Sequence, residues 1–179
     1  MGMVRAPAKV KLFCAVLLAP DISPSAVETA LAQTFGPIVL RSPALPFIQT
    51  TYYEREMGPH LTRLYVAFAP CVPMDDLAAI KHTTNNLETL WTTAQGQRRV
   101  NLDPGYLDLA KVVLATTKDY SHRLYIGDGI FAEVTLQYKH KALQPWEWTY
   151  PDYRLPTTLA FFQQLRDLYR RQLQNNSPA

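Results

Sequence analysis

The chain has 179 residues, of which 47% are hydrophobic and 18% are charged, and its formal net charge is +3. This length and composition are typical of one packed domain and not of a disordered chain, so we expect a single domain over residues 1–179. The mild positive charge permits an anionic partner. It leaves nucleic acid open as a partner, although Lys and Arg form no basic stripe of the kind that nucleic-acid-binding domains show.

The two cysteines, Cys14 and Cys71, lie in apolar runs and are expected to be buried free thiols. No His lies at zinc-ligand spacing from either of them, so the sequence predicts no metal site and identifies no cofactor. No apolar run is long enough to cross a bilayer. We therefore expect a cytoplasmic protein with no membrane partner.

The first hundred residues predict four strands and two helices. Apolar residues that recur with a period of 3.6 predict the two helices. Ser23 and Gly36 mark the ends of the first helix, and Asp75 and Asp76 mark the start of the second. Proline cannot donate to a strand ladder, so the second strand, which two prolines interrupt, is expected to lie at a sheet edge or to contain a bulge. The predicted strands span residues 11–19, 38–40 continued by 47–54, 61–69 and 98–102, the last being stopped by Asp103-Pro104-Gly105.

This β-α-β-β-α-β order predicts an α+β fold, a ferredoxin-like antiparallel sheet with both helices on one face. The remaining sequence extends that sheet with a C-terminal strand at residues 109–117 and a β-hairpin of residues 120–126 and 130–138. A loop rich in Trp and Tyr (residues 144–156) and a final helix follow.

The hairpin register follows from the apolar pattern. A three-residue Gly127-Asp128-Gly129 loop collects the aliphatic residues of both strands on one face. This register predicts Arg123 opposite Glu133 as an exposed pair that contributes about 0.2–1 kcal/mol, and Tyr125 opposite Phe131. The same parity turns His122 toward the apolar face beside Val134, where it would have a structural role.

Motifs that mark the common nucleotide-binding and hydrolytic sites are absent. The chain has no Gly-x-x-x-x-Gly-Lys-Ser/Thr, Gly-x-Gly-x-x-Gly, Gly-x-Ser-x-Gly or His-Glu-x-x-His. Without a loop that cradles phosphates, we expect no GTP or ATP hydrolysis.

Polar clusters within otherwise apolar sequence are the candidate functional residues. They lie after the second strand, around the Asp-Pro-Gly segment, and along the hairpin. Carboxylates, His and Lys can carry out acid–base chemistry or bind ions, while Asn and Asp also simply shape turns. The candidate ligand-binding residues are Tyr53, Glu54, Glu56, Asn101, Asp103, Lys118, His122, Arg123, Glu133 and Trp148.

Three long phrases stand out at residues 52–58 (Tyr-Tyr-Glu-Arg-Glu-Met-Gly), 101–106 (Asn-Leu-Asp-Pro-Gly-Tyr) and 148–153 (Trp-Thr-Tyr-Pro-Asp-Tyr). Shorter ones at 122–125 and 129–133 lie in the predicted hairpin, with Phe131 at a position where Tyr is expected. With these phrases, nearly the whole chain resembles an uncharacterised bacterial family, domain of unknown function 4416. The resemblance implies no activity. Some members are labelled GTP-binding, but this sequence has no phosphate-binding loop that would support such a label.

Three functions compete. The first is binding of, or catalysis on, a small anionic ligand such as a nucleotide or an RNA end. Lys118, His122 and Arg123 would meet the anion, and Tyr53 or Trp148 would stack on a ring. The second is a non-catalytic protein-interaction or homodimerising module that uses the hairpin and the aromatic loop. The third is a metal-assisted hydrolase that uses Glu54, Glu56 and Asp103.

Overall fold

The computed structural model of the chain describes residues 2–175. The single domain expected over residues 1–179 is therefore described except for residues 1 and 176–179. The strands are β1 (Val10–Leu18), β2 (Ile38–Arg41), β3 (Leu45–Pro46), β4 (Thr62–Val72), β5 (Val100–Leu107), β6 (Lys111–Thr116), β7 (Leu124–Gly127), β8 (Ile130–Lys139) and β9 (Ala142–Pro145). The helices are α1 (Pro24–Phe35), α2 (Glu54–Met57), α3 (Leu77–Glu88) and α4 (Pro156–Asn175).

Across residues 2–175, all nine strands belong to one sheet in which neighbouring strands are antiparallel. The order across the sheet is β2-β4-β1-β5-β6-β8-β7. The short strand β3 pairs with β4, and β9 pairs with β8 beside β7. The protein is therefore a mixed α+β fold built on a single antiparallel sheet.

The two faces of the sheet bury different helices. The even-numbered residues of β1 pack with Val27 and Leu31 of α1 and with Ile80 of α3. On the other face, Phe13 and Ala15 pack against Phe162 and neighbouring residues of α4. The prediction that the first two long helices share one face is confirmed, and α4 covers the opposite face.

The prediction of a strand over residues 47–54 is wrong. Only Leu45–Pro46 pairs with β4, and the chain then turns into the one-turn helix α2. Met57 at the end of that helix is completely buried, and it packs with Leu17 and Leu61. Gly58 follows at φ 84°, a backbone conformation that a side chain disfavours. Burial of Met57 thus outweighs the local strand propensity.

The prediction that Asp103-Pro104-Gly105 ends the fourth strand is also wrong. β5 continues through this segment to Leu107. A Cβ atom on Gly105 would lie 2.6 Å from Cζ of Phe13 and closer still to the carbonyl oxygen of Val113. Glycine therefore serves close packing in mid-strand here, and not a turn.

The hairpin register is confirmed in part. Tyr125 lies opposite Phe131, as predicted, and Leu124 lies opposite Ala132. The loop differs, because Asp128 and Gly129 form a two-residue turn with positive φ angles, and the register shifts between Tyr125 and Gly127. Leu124 is 76% exposed instead of sharing a buried face. A second register shift, in β8 against β6, leaves an extra residue between Val134 and Leu136 and so turns these two side chains to opposite faces.

Within residues 2–175, no helix is both long and apolar enough to cross a membrane.

Candidate functional site

A cleft of about 620 Å³ opens where β5 and β6 diverge. The two strands pair only between Gly105–Leu107 and Val112–Leu114. Leu102 directs both its N–H and its C=O away from β1 toward α3. Backbone groups of strand residues two apart point to the same side, so the backbone nitrogen of Pro104 faces β6. A proline nitrogen carries no hydrogen and cannot donate a hydrogen bond to that strand. The ladder therefore stops there, and the strands separate.

Side chains of α3 satisfy the free edge of β5. Glu88 accepts the backbone N–H of Leu102 at 2.7 Å, and Lys81 Nζ donates to the carbonyl oxygen of Leu102 at 2.8 Å. Both side chains are almost fully buried. Burial raises the pKa of Glu88 above its ordinary value, and this effect outweighs the nearby cations Lys81 and Arg98.

A chain of polar contacts crosses the floor of the cleft. Arg98 binds Glu56 in a bidentate pair at 2.6 and 2.7 Å and also donates to Asn101 at 3.1 Å. Asn101 in turn donates to Asp103 at 2.7 Å, and Lys81 reaches the same carboxylate at 3.2 Å. The result is a continuous network that fixes Asp103.

Asp103 is ionised at the floor of the cleft. Burial alone would raise its pKa, but Lys81, Arg63 and the hydrogen bond from Asn101 lower the pKa below its ordinary value of 3.8. The side chain remains 27% exposed although it lies deep in the protein, because it faces the cleft. It is an acceptor that a ligand can reach.

The opposite wall forms at a gap along β8, between the stretches that pair with β7 and β9. Trp148 Nε1 donates to the carbonyl oxygen of Val134 at 2.9 Å, and Thr149 Oγ1 donates to that of Thr135 at 2.6 Å. The loop after β9 thus occupies the open ladder positions and closes the site beside Glu133.

Glu133 is the centre of a buried cluster on this wall. It accepts Arg123 Nε–H at 2.7 Å and contacts His122 Nε2 at 3.2 Å. The side chains of Arg123 and Glu133 are only 3% and 1% exposed. The expected pair therefore forms, but the prediction that it is exposed is wrong.

The predicted orientation of His122 is also wrong. It was expected to face Val134, yet it lies next to Glu133 and lines the cleft. Residues 120–123 precede β7 and form a turn closed by the hydrogen bond from Arg123 N to the Tyr120 carbonyl oxygen. Strand parity therefore does not apply to His122.

A column of stacked rings holds His122 in place. Trp146 stacks on Trp148 at a centroid distance of 5.1 Å, and Trp148 stacks on His122 at 5.4 Å. Tyr120 stacks on His122 at 6.0 Å. Because Trp148 already engages two neighbouring rings, the structure does not favour it as a platform for a ligand ring.

Arg123 likewise places each of its three guanidinium nitrogens in a hydrogen bond within the protein. Nε donates to Glu133, Nη1 to the carbonyl oxygen of Lys118 at 2.9 Å, and Nη2 to the hydroxyl of Tyr150 at 2.7 Å. Its guanidinium also lies 4.9 Å from the ring centroid of Tyr120. These contacts favour a structural role for Arg123 over the predicted contact with an anion.

Eight of the ten predicted site residues line the cleft, namely Tyr53, Asn101, Asp103, Lys118, His122, Arg123, Glu133 and Trp148. Glu56 reaches the site only through Arg98, and Glu54 lies exposed on α2 away from the lining.

Sequence reasoning missed several charged lining residues, of which Arg63, Lys81, Glu88 and Asp152 are the most buried. A signal was present for two of them. Arg63 is a lone charge in the apolar strand β4, and Lys81 lies four residues after Leu77 on the buried face of α3.

The described residues 2–175 contain no group of three or more His, Cys, Asp or Glu side chains placed to hold a metal ion. The alternative of a metal-assisted hydrolase therefore gains no support from the geometry.

The fold and the cleft define an α+β protein whose single antiparallel sheet opens onto a cleft lined by charged and aromatic residues. The chain belongs to the family described as Domain of unknown function (DUF4416), whose model matches residues 8–169. No curated protein and no solved structure matches the chain.

Proposed function

We propose that the cleft binds a small anionic ligand, such as a nucleotide or an RNA end. The observation that carries this proposal is the state of the charges along the lining. Each lining carboxylate, Glu88, Asp103, Glu133 and Asp152, already has a cationic partner within 3.2 Å.

Two cations of the lining, Lys118 and Arg63, keep N–H donors that no acceptor in the described part of the chain uses. Lys118 Nζ donates to the hydroxyl of Tyr52 at 2.6 Å and has no carboxylate partner among residues 2–175. Arg63 lies at the floor, paired with Asp152 at 3.1 Å without a well-directed hydrogen bond. Cations with unused donors along a cleft are the chemistry that recognises phosphate and carboxylate groups.

The cleft volume of about 620 Å³ is within the range that small-molecule sites occupy. A ring could lie against the wall formed by Phe47, Tyr52 and Tyr53, since Tyr53 is half-buried there. This wall replaces Trp148 as the candidate for stacking.

A thermal-shift titration tests the proposal. AMP, GMP, GTP and a 5′-phosphorylated dinucleotide are added to the wild type, and at least one should raise the melting temperature in a concentration-dependent way. Lys118→Glu should abolish that rise. Arg41→Glu, the same charge change at an exposed site paired with Glu28, should preserve it. Absence of any shift across the panel would count against the proposal.

One observation favours the interaction module as a second candidate. The edge strand β7 exposes Leu124, Tyr125 and Ile126 at 76, 62 and 39%. Exposed apolar edge strands pair readily with another chain. A homodimer through β7 would be lost on Tyr125→Lys, and sedimentation of wild type and variant at increasing concentration distinguishes it from a monomer.

The proposal also includes the finer points of fold and location. The segment order β2-β4-β1-β5 with α1 and α3 on one face supports a ferredoxin-like arrangement of the first half. Both cysteines are free thiols, which supports a cytoplasmic location.

A further inference from the structure

Three arginines line the cleft, and they differ in how their donors are used. Arg98 and Arg123 place all three guanidinium nitrogens in hydrogen bonds with Glu56, Glu88, Glu133 and neighbouring acceptors. Arg63 makes no hydrogen bond within the described residues 2–175. Its Nε and Nη1 are sealed from solvent and have no hydrogen-bond partner within that range, so among its nitrogens Nη2 is the one that can meet a ligand in the cleft.

Arg63 is nevertheless held firmly in position. It projects from β4 opposite Leu17, its Nε lies 3.1 Å from Asp152 Oδ2, and its guanidinium lies 5.0 Å from the ring centroid of Phe47. Only 8% of the residue is exposed. Asp152 balances the charge of this guanidinium but leaves its hydrogen-bonding capacity unused, so an oxyanion that enters the cleft can bind the remaining nitrogen, Nη2.

Tyr53 adds a second donor beside Arg63. Burial, together with the nearby Asp103 carboxylate, raises the pKa of Tyr53, so its hydroxyl keeps its proton. This hydroxyl has no hydrogen-bond partner among the residues that the structure describes, and Tyr53 lines the cleft. Two neighbouring donors, one of them charged, thus face the same volume.

Asp103 constrains what else the ligand must carry. Its carboxylate lies close enough to Arg63 for the two charges to attract each other, and it would repel an anionic group brought to the floor. Its oxygens each accept one bond, from Lys81 and from Asn101, which leaves lone pairs toward the cleft. Since Lys81 already balances its charge, a neutral hydroxyl fits better there than a second ammonium group.

We propose that the cleft floor binds a hydroxylated oxyanion, with its phosphate or carboxylate group on Arg63 and Tyr53 and its neighbouring hydroxyl on Asp103. This inference rests on the proposed function and names the chemical class of the ligand. It assigns the anion to Arg63 and not to Arg123.

Matched pairs of small anions provide the test. Glycerol 2-phosphate and isopropyl phosphate share a skeleton and differ in two hydroxyls, and glycerate and propionate form the corresponding carboxylate pair. Calorimetric titration of the wild type should give an affinity at least threefold higher for the hydroxylated member of whichever pair binds. Equal affinities within both pairs would overturn the role of Asp103.

Two variants separate the two contacts. Arg63→Lys keeps the charge beside Asp152 but loses the planar donor fork, and it should weaken both members of the binding pair roughly tenfold or more. Asp103→Asn should weaken only the hydroxylated member. Arg41→Lys, the same change at an exposed pair, is the control and should leave every affinity unchanged.

The outcomes distinguish this inference from the broader proposal. If a nucleotide binds and Lys118→Glu abolishes its binding, while Arg63→Lys leaves all affinities unchanged, the subsite is wrong and the cleft proposal stands. If no anion of either panel binds, both are wrong. Should Arg63→Lys fail to fold, crystals of the wild type soaked in inorganic phosphate decide: an oxygen within hydrogen-bond distance of Arg63 supports the subsite, and phosphate bound only elsewhere overturns it.

Discussion

The Arg123–Glu133 pair allows a sharp test, because its location changes its expected energy severalfold. The substitution is Glu133→Gln, which keeps the size of the side chain and removes its charge. Arg123 would then remain buried, at 3% exposure, without the carboxylate that now lies 2.7 Å from its Nε. Removing one partner of a buried pair costs about 3–5 kcal/mol, whereas exposed pairs contribute about 0–1 kcal/mol.

We expect a loss near the lower end, about 3 kcal/mol, because the glutamine oxygen can still accept from Arg123. Urea unfolding followed by circular dichroism measures it. With a slope of about 2 kcal/mol per molar, the midpoint should fall by about 1.5 M. Glu28→Gln removes the carboxylate from the exposed pair with Arg41 and should shift the midpoint by less than about 0.5 M.

Equal shifts for Glu133→Gln and Glu28→Gln would refute this reasoning. They would mean that the Arg123–Glu133 pair is as well hydrated in solution as a surface pair. A large loss with an unchanged slope would support the buried position, since the slope reports the surface exposed on unfolding.

Three further predictions follow from single contacts. Gly105→Ala should lower the free energy of unfolding by about 1–3 kcal/mol or more, because the new methyl group would overlap Phe13 and Val113, whereas Gly2→Ala, which meets no atom within 4 Å, should have no effect in the same urea assay. Burial raises the pKa of Cys14, so a thiol reagent should leave Cys14 unmodified in the native protein and modify it only after unfolding; rapid native modification of both thiols would contradict this. The folded-state pKa of Asp103 lies below its ordinary 3.8, so its contribution to stability is present above that pH and is lost as the pH falls through the lower folded-state value; Asp103→Asn should flatten the dependence of the unfolding midpoint on pH in that acidic window.

The sequence by itself determined the features that depend on local periodicity. Helix α1 begins and ends where Ser23 and Gly36 predicted, because Pro24 at its start, Gly36 at its end and the apolar face between them are all encoded locally. Alternation alone placed Tyr125 opposite Phe131, since one residue of slip reverses every side chain. The polar clusters within apolar sequence also identified eight residues that line one cleft, because polar residues in apolar segments are costly unless they meet partners.

Only the tertiary structure decided the environment of each side chain. Asp103-Pro104-Gly105 has turn composition, yet it forms the middle of β5 because Phe13 and β6 approach Gly105 from distant parts of the chain. Burial of the Arg123–Glu133 pair depends on the loop after β9, which closes the gap in β8. Arg63 became a candidate ligand-binding residue only when the structure showed that its buried Nε and Nη1 have no hydrogen-bond acceptor among the described residues. Hydrogen bonds and burial join residues that are far apart in sequence, and one-dimensional patterns do not contain those distances.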